Sequence, residues 1–266
     1  MNDAQRPLLL TTSWDDGHPQ DLRVAELLAK HGIAGTFYIS RSGPRTVMSA
    51  PEIHELGETF EIGGHTLEHV SIERLSDAEA IAQLSGSRAW IEQLTGRSCR
   101  SFCFPGGKFR RRQLPFVRNA GYQVARTVEL LSTANPQWAD GVCLVPTTVQ
   151  VFPHGPLCYA KNVLKRFSFS TAHWPRKSLF GGDWVPLATD LFLRTRERGG
   201  IFHLWGHSWE IEECREWRNL ERFLETIGSC RDEWKSITNG ELSELPLRPV
   251  PFESAAAPAA VPERVE

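Results

Sequence analysis

Short apolar runs alternate along the chain with amphipathic segments whose apolar residues recur at helical spacing. Strand candidates are residues 8–12, 35–40, 59–65, 101–107, 122–127, 142–151, 201–205 and 234–238. Helix candidates are residues 21–33, 76–96, 112–122, 159–167, 186–200 and 217–227. Alternating strands and helices imply a parallel sheet with right-handed crossovers. The seven or so repeats predict an α/β fold in the form of a distorted (β/α) barrel, with seven strands in a single domain.

The pattern also sets the expected domain limits. Residues 1–248 are predicted to form the barrel, and residues 249–266 are a Pro/Ala-rich tail expected to be disordered. Residues 154–184 form a long aromatic and basic insert that contains Phe167, Phe169, Trp174 and Phe180. These rings could form a lid or a sugar-stacking wall, or a small satellite core beneath a long loop.

Composition excludes several classes of protein. A chain of 266 residues with 41% hydrophobic residues can bury one large core, and a formal net charge of -2 argues against a nucleic-acid binder. No apolar run has the length of a membrane span, and the N-terminus lacks the pattern of a secretory signal. The six cysteines form no CxxC pair, which indicates reduced thiols. We therefore expect a cytoplasmic protein.

Polar clusters follow four of the predicted strands. They are "WDDGH" at 14–18, "GGHTLEH" at 63–69, "FPGGK" at 104–108 and "HLWGHSWE" at 203–210. Functional sites of parallel α/β proteins lie at the carboxyl ends of the strands. The coincidence predicts one site assembled from these clusters.

His65 and His69 are four residues apart, so one helical turn would direct both imidazoles to the same side, as a metal ion requires. The alternative is a pair of surface histidines at a helix start. A second alternative is an inverted zinc-protease motif, because Glu68 completes H-x-x-E-H. That motif needs a long helix, whereas Gly63 and Gly64 directly precede the pair.

Asp15 and Asp16 are adjacent carboxylates that repel each other. A site of two histidines and one aspartate suits Zn²⁺ or a similar divalent ion that carries water. Such an ion lowers the pKa of bound water to roughly 7. One aspartate can bind the metal while its neighbour takes the proton of the water, so the two carboxylates have different tasks.

These residues resemble the polysaccharide deacetylases of carbohydrate esterase family 4. "TSWDDG" is similar to the first family motif, T-F-D-D-G, and "HTLEH" matches the second, H-[ST]-x-x-H. "GIAGTFYIS", "FEIGG" and "FCFPGGKF" with "NAGYQVART" are also similar to that family. The resemblance covers residues 8–128, with a weaker return at 201–210.

The resemblance implies a distorted barrel and metal-dependent removal of an acyl group, usually acetyl from an amino sugar. By position, Asp15 would be the general base, and Asp16, His65 and His69 would be the metal ligands. The Gly106 backbone N–H would stabilise the developing oxyanion. The ion is expected to be one Zn²⁺, with Co²⁺ or Ni²⁺ as alternatives.

The chain departs from the family pattern at two motifs. The third motif often carries an arginine two residues before its proline, where this chain has Cys103, and Arg100 is out of register on a strand. The fourth motif, acidic with a tryptophan, has only Trp138 and Asp140 as loose counterparts.

The last motif should supply a histidine as general acid, and two are present, His203 and His207. Strand alternation puts both on one face. We prefer His207, because it is nearer the carboxyl end of the strand and "HSWE" is similar to the H-P-W-E of some members. His203 would then be a structural histidine.

The predicted function is a metal-dependent hydrolase in which metal-bound water attacks the amide carbonyl of an N-acetylated amino sugar. Alternatives are hydrolysis of a small cyclic amide or ureide on the same fold, and a non-catalytic carbohydrate-binding barrel. The expected partner is a small amino sugar, an oligosaccharide or a glycan precursor, with no nucleic acid and no membrane span.

Overall fold

Eleven β-strands in the described residues form one sheet. The structure is a computed structural model that describes residues 8–155, 157–159, 162 and 183–245, and the backbone of 250–251. The strands are β1 (Leu8–Asp16), β2 (Thr36–Ile39), β3 (Glu61–Gly64), β4 (Ser101–Cys103), β5 (Val124–Arg126), β6 (Gln137–Ala139), β7 (Val142–Val145), β8 (Val149–Gln150), β9 (Gly200–Gly206), β10 (Trp234–Ser236) and β11 (Val250–Pro251).

The sheet has the parallel order that the alternating pattern predicts. Its strands run β11, β6, β7, β5, β4, β3, β2, β1, β9, β8, and β10 pairs with β1 as a branch. All the pairs are parallel except β6 with β7. The α/β class with a distorted barrel is therefore confirmed. The predicted count of seven strands is too low, because β6, β7, β10 and β11 extend the parallel array β5, β4, β3, β2, β1, β9, β8.

Seven helices connect the strands within the described residues. They are α1 (Asp21–Lys30), α2 (Ala50–Thr59), α3 (Asp77–Thr95), α4 (Leu114–Asn119), α5 (Trp184–Arg198), α6 (Ser208–Cys214) and α7 (Trp217–Gly228). Helix α3 begins at the predicted Ser76 cap and ends at Gly96 in the left-handed conformation. The periodicity missed α2 and α6, although Ser49 and Glu52 form a capping box before α2.

Successive side chains of β1 point alternately to an apolar face and a polar face of the sheet. Leu10 and Trp14 are fully buried in the apolar core. Thr11, Ser13 and Asp15, on the opposite face of the strand, make buried polar contacts. Helices α3 and α5 pack on β3 and β9, so the apolar core lies between sheet and helices while the inner face of the sheet is polar.

Two predicted segments lie mainly outside the described residues. The insert at 154–184 is described only at 154–155, 157–159, 162 and 183–184, which leaves out Phe167, Phe169, Trp174 and Phe180. In the segment predicted as a tail, Val250–Pro251 pairs with β6, and the remaining residues lie outside the described part. The proposed domain limits stay a prediction.

Among the helices of the described residues, none combines the length and apolar character that crossing a lipid bilayer demands.

Glu61 ties the amino-terminal end of β3 to three other parts of the fold. Its Oε2 accepts hydrogen bonds from Thr36 Oγ1 at 2.7 Å and from the Gly240 backbone N–H at 2.9 Å. Its Oε1 accepts one from Ser101 Oγ at 2.9 Å. All three donor residues are buried. Removing the carboxylate would therefore leave three buried donors without an acceptor.

We expect Glu61→Ala to lower the free energy of unfolding by about 2 to 4 kcal/mol, because unpaired buried donors are costly. Denaturant unfolding measures the change. The matched control is Glu55→Ala on the exposed face of α2, which should stay within about 0.5 kcal/mol of the parent. Equal stability of the two variants would show that this network does not hold the barrel together.

Candidate active site

The carboxyl ends of β1, β3 and β9 bring together the side chains that the motifs single out. Asp15 and Asp16 end β1, His65 and His69 follow β3, and His207 follows β9. Strand β1 pairs with both β2 and β9, and β3 pairs with β2, so these strand ends are neighbours at one edge of the sheet.

The two adjacent aspartates point in different directions. Asp15 continues the inward face of β1 and is 3% exposed. Asp16 has a φ of 80°, a left-handed conformation that is uncommon outside glycine. This turn redirects the Asp16 carboxylate toward the histidines that follow β3. Backbone strain of this kind persists where the surrounding structure enforces it.

Asp16 and the two histidines converge on one point. His65 Nε2 lies 3.4 Å from Asp16 Oδ1, and His69 Nε2 lies 3.0 Å from the same oxygen. His65 Nδ1 donates to the Cys103 carbonyl at 2.9 Å, because a carbonyl can only accept. In a neutral His65 ring, Nε2 therefore carries the free lone pair and faces a carboxylate oxygen.

The second oxygen of Asp16 has a different partner. Trp209 Nε1 donates to Asp16 Oδ2 at 2.8 Å. Asp16 Oδ1 is buried and accepts no hydrogen bond from the described residues. Burial raises the pKa of Asp16, but the charge of His207 and contacts with His65 and His69 outweigh it and hold the pKa well below the usual range. One ionised oxygen and two imidazole nitrogens fit a divalent cation.

A second set of possible ligands fits a cation less well. Asp15, His65 and Cys103 also have ligand atoms within 4.8 Å of one another. Burial raises the pKa of the Cys103 thiol well above its usual value, which disfavours the thiolate that binds metal. Asp15 already has a cationic partner, Arg126. The set of Asp16, His65 and His69 is therefore the better cation site.

The segment that carries both histidines is not the helical turn that the four-residue spacing suggested. Thr66 and His69 have φ values of 59° and 51°, so the chain turns through the left-handed region twice. Thr66 Oγ1 accepts a hydrogen bond from the Val70 N–H at 2.9 Å and closes this turn. The expected geometry is wrong, although the imidazoles still meet, with ring centroids 4.9 Å apart. The absence of a helix at 65–69 also removes the basis of the inverted zinc-protease alternative.

Gln83 of α3 holds this turn from outside. Its Oε1 accepts from the Leu67 and Glu68 backbone N–H groups, each at 3.0 Å, and its Nε2 donates to Glu68 Oε2 at 2.9 Å. Glu68 also accepts from Arg41 at 3.3 Å on the exposed surface. Glu68 is thus engaged away from the histidines and is not a metal ligand here.

Asp15 has an arginine partner that sequence reasoning missed. Arg126 ends β5, is fully buried, and donates through Nη2 to both carboxylate oxygens of Asp15. Its guanidinium carbon lies 4.6 Å from the Trp205 ring centroid and 5.5 Å from that of Tyr38. Burial raises the pKa of Asp15, but the Arg126 charge and those of nearby histidines bring the pKa below its usual value.

Arg126 gives Asp15 an arginine partner although the arginine position of the third motif is occupied by Cys103. Cys103, which occupies the motif position, is the register partner of Arg126 across β4 and β5. Its Sγ lies 3.7 Å from Asp15 Oδ2. Arg100 instead pairs with Glu244 at the surface. The sequence signal that could have identified this partner is Arg126 itself, a charged residue near the carboxyl end of the predicted strand 122–127.

His207 lies above the aspartates with its ring fixed by Glu210. His207 Nδ1 donates to Glu210 Oε2 at 2.6 Å, while Nε2 lies 3.8 Å from Asp15 Oδ2 and 4.0 Å from Asp16 Oδ2. Burial lowers the pKa of His207, but the Glu210 and Asp16 carboxylates outweigh it and raise the pKa to about 10. The two carboxylates therefore favour the protonated form of the His207 ring.

His203 lies deeper in the barrel. His203 Nδ1 donates to the Pro146 carbonyl at 2.9 Å, which leaves Nε2 to accept from Ser13 Oγ at 2.8 Å. Burial, together with the charge of Arg126, lowers the pKa of His203 to about 3. Both ring nitrogens are engaged within the barrel, so His207 is the better placed of the two to act as an acid.

The remaining motif residues have mixed positions. Gly106 lies in the exposed turn after β4, at the same end of the sheet, with a φ of 62°. Trp138 lies on β6 and is 37% exposed, and Asp140 pairs with Arg111 at 3.3 Å. Trp138 and Asp140 are not brought to the aspartates and histidines, so neither replaces the fourth motif.

The model of the polysaccharide deacetylase family matches residues 2–125. The motifs quoted above fall largely within this range, and the predicted resemblance to that family is confirmed over these residues. No curated protein sequence is significantly similar to the chain.

Solved structures share the fold over nearly the whole chain. A Mycobacterium smegmatis protein assigned to the polysaccharide deacetylases is 13% identical with a TM-score of 0.64, over 92% of this chain and 91% of its own. PuuE allantoinase is 10% identical with a TM-score of 0.65, over 91% of each chain. The chitin deacetylase of the fungal pathogen Colletotrichum lindemuthianum is 13% identical with a TM-score of 0.55, over 89% and 88%. At these identities the comparisons establish the fold.

We expect the purified protein to bind about one divalent ion per chain, and His65→Ala and His69→Ala each to lose it, because three ligands are needed to hold an ion in an open site. Elemental analysis after gel filtration measures the content. His54→Ala, at an exposed position of α2, is the control and should keep the ion. Full metal content in both site variants would exclude this set of ligands.

We expect Arg126→Met to lower the free energy of unfolding by about 3 to 5 kcal/mol, because it leaves the Asp15 carboxylate buried without its counter-charge. Adding Asp15→Asn should recover much of that loss, since the unpaired charge is then removed. Denaturant unfolding measures both steps of the cycle.

Arg100→Met, which breaks only an exposed ion pair, is the control and should change stability by less than about 1 kcal/mol. If Arg126→Met were as mild as this control, the buried pair would not have the structural importance assigned to it.

Proposed function

We propose that the protein is a metal-dependent hydrolase that removes an N-acetyl group from an amino-sugar substrate. One observation carries the proposal. A carboxylate with an arginine partner, a candidate cation site of one carboxylate oxygen and two imidazoles, and the imidazole of His207 meet at one end of the barrel. The match of residues 2–125 to the polysaccharide deacetylase family supports the class of substrate.

Asp16 Oδ1, His65 Nε2 and His69 Nε2 would hold the ion, which we expect to be Zn²⁺, with Co²⁺ or Ni²⁺ also suited to these ligands. When bound, the ion supplies Lewis acidity, which acidifies water and polarises the acyl carbonyl. The Trp209 hydrogen bond leaves one oxygen of Asp16 for the ion and fixes the orientation of that ligand.

Asp15 would accept the proton of the attacking water. Its lowered pKa keeps it ionised at neutral pH, and Arg126 prevents it from turning toward the cation site. A carboxylate with a low pKa is a weak base, so it can serve only if the water is itself acidified. The two aspartates thus have complementary tasks, which explains why the chain places them side by side.

His207 would donate its Nε2 proton to the departing amine. An amine is a poor leaving group unless it is protonated, and the Nδ1 bond to Glu210 keeps Nε2 directed at the site. The Gly106 backbone N–H is our candidate donor to the developing oxyanion, since its turn lies at the same end of the sheet.

A second candidate is hydrolysis of a small cyclic amide or ureide. The full-length likeness to an allantoinase keeps this reaction in consideration, because the same fold carries it in that protein. The same base and acid would serve, since both reactions cleave an amide C–N bond. A carbohydrate-binding barrel without turnover is disfavoured, because binding alone would not need the buried Asp15 and Arg126 pair.

The substrate that we favour is a soluble acylated amino sugar, a short oligosaccharide or a glycan precursor. A cytoplasmic location, expected from the sequence pattern, accompanies that preference and is tested by cell fractionation. Acetate release from chitooligosaccharides, measured beside a panel of cyclic amides with and without chelator, separates the two reactions.

We expect Asp15→Asn and His207→Ala to keep the metal but lose turnover by about 100- to 10,000-fold, because each removes one proton-transfer group. Acetate release and metal content are measured on the same preparations. His54→Ala again serves as the control. Activity of His207→Ala together with inactivity of His203→Ala would transfer the acid role to His203.

A further inference from the structure

A series of three hydrogen bonds leads from the proposed general acid, His207, to a buried histidine, His154. Glu210 Oε2 accepts from His207 Nδ1 at 2.6 Å and from Gln150 Nε2 at 2.9 Å. Gln150 Oε1 lies 2.8 Å from His154 Nε2. Gln150 is 3% exposed and His154 is 8% exposed, so the contact between these two side chains is shielded from solvent. Neither residue lies in a motif that the sequence analysis connected with chemistry.

The donor and acceptor of each hydrogen bond in this series follow from the Glu210 carboxylate at one end. A carboxylate only accepts, so the amide nitrogen of Gln150 must face Glu210 and its amide oxygen must face His154. His154 Nε2 must then carry a hydrogen. Burial lowers the pKa of His154 to about 4, so the ring is neutral and donates from Nε2 alone. The hydrogen bonds therefore all point one way, from His154 through Gln150 to Glu210, and the series ends at His154.

Two aromatic rings pack against His154, the last residue of the hydrogen-bond series. The ring centroid of His154 lies 4.9 Å from that of Phe152 and 5.7 Å from that of Tyr159. Gln150 is anchored by the pairing of β8 with β9, in which its register partner is Trp205. Glu210, by contrast, lies on short α6, and its carboxylate is 17% exposed. Without Gln150, the carboxylate would have one fewer contact to hold its rotamer.

We propose that Gln150 and His154 are positioning residues, which lock the Glu210 carboxylate and so aim His207 Nε2 at the leaving group. The proposal rests on the proposed amide hydrolysis, in which His207 is the acid. Neither residue touches the reacting atoms or exchanges a proton in the reaction. Their effect is on the orientation of the donor, and supporting contacts of this kind are commonly worth about 10- to 100-fold in activity.

Substrates with different leaving groups distinguish a positioning role of Gln150 from a general structural role. An N-acetylated sugar releases an amine that needs the proton of His207, whereas 4-nitrophenyl acetate releases a phenolate that needs none. We expect Gln150→Met to lower kcat for chitooligosaccharide deacetylation by about 10- to 100-fold and to leave aryl acetate turnover within about twofold. Metal content should not change.

Matched variants test each link. His154→Gln keeps an N–H donor and should retain more amide activity than His154→Leu. Gln123→Met is the control, because Gln123 is exposed. Equal losses of Gln150→Met on amide and ester, or no loss on the amide, would overturn the proposal.

A second measurement does not depend on turnover. In ¹⁵N-histidine-labelled protein, the downfield N–H resonance that His207→Ala removes reports the His207–Glu210 bond. We expect Gln150→Met to shift or broaden that resonance, and an unchanged resonance would contradict the positioning role. If the parent enzyme released no acetate from any amide, the proposed function would fail, and the resonance alone would decide whether Gln150 positions His207.

Discussion

The buried ion pair between Asp15 and Arg126 is the constraint on which the rest of the site depends. Two adjacent carboxylates at the end of a buried strand repel each other, and taking either out of water is costly unless a counter-charge lies beside it. Arg126 neutralises Asp15 on the inner side of the barrel. Asp16 turns away through its left-handed backbone and meets two imidazoles. The opposing directions give the two adjacent carboxylates different partners, as the proposed base and the proposed metal ligand require.

The register of the parallel strands places the side chains of the site at the same end of the sheet. Arg126 is opposite Cys103 across β4 and β5, so the guanidinium reaches Asp15 from one strand beyond the position where the family motif carries its arginine. The segment after β9 contributes two supports from adjacent residues. Trp209 donates to the Asp16 carboxylate, and Glu210 accepts from His207. A change of one residue in this segment can therefore affect metal binding or proton transfer separately.

Local pattern predicted most of the strands and helices and the end of the sheet where the site lies, because periodicity and strand ends are properties of short segments. It missed β6, and it assigned the residues of β11 to a disordered tail. It also predicted that His65 and His69 face one candidate metal site, but for the wrong reason, because the segment is not a helical turn. The left-handed Thr66 depends on Gln83 of a distant helix, which no spacing rule contains. Arg126 was missed because its partner depends on the register between strands, and register follows from packing of the whole sheet.

The central claim is that the two aspartates have separate tasks, one in proton transfer and one in metal binding. Anomalous diffraction from crystals of the metal-loaded protein, at the absorption edge of the bound ion, tests it most directly. The account predicts one ion within about 2.0 to 2.2 Å of Asp16 Oδ1, His65 Nε2 and His69 Nε2, with Asp15 still bound to Arg126. An ion ligated by Asp15 or by the Cys103 thiolate would contradict it.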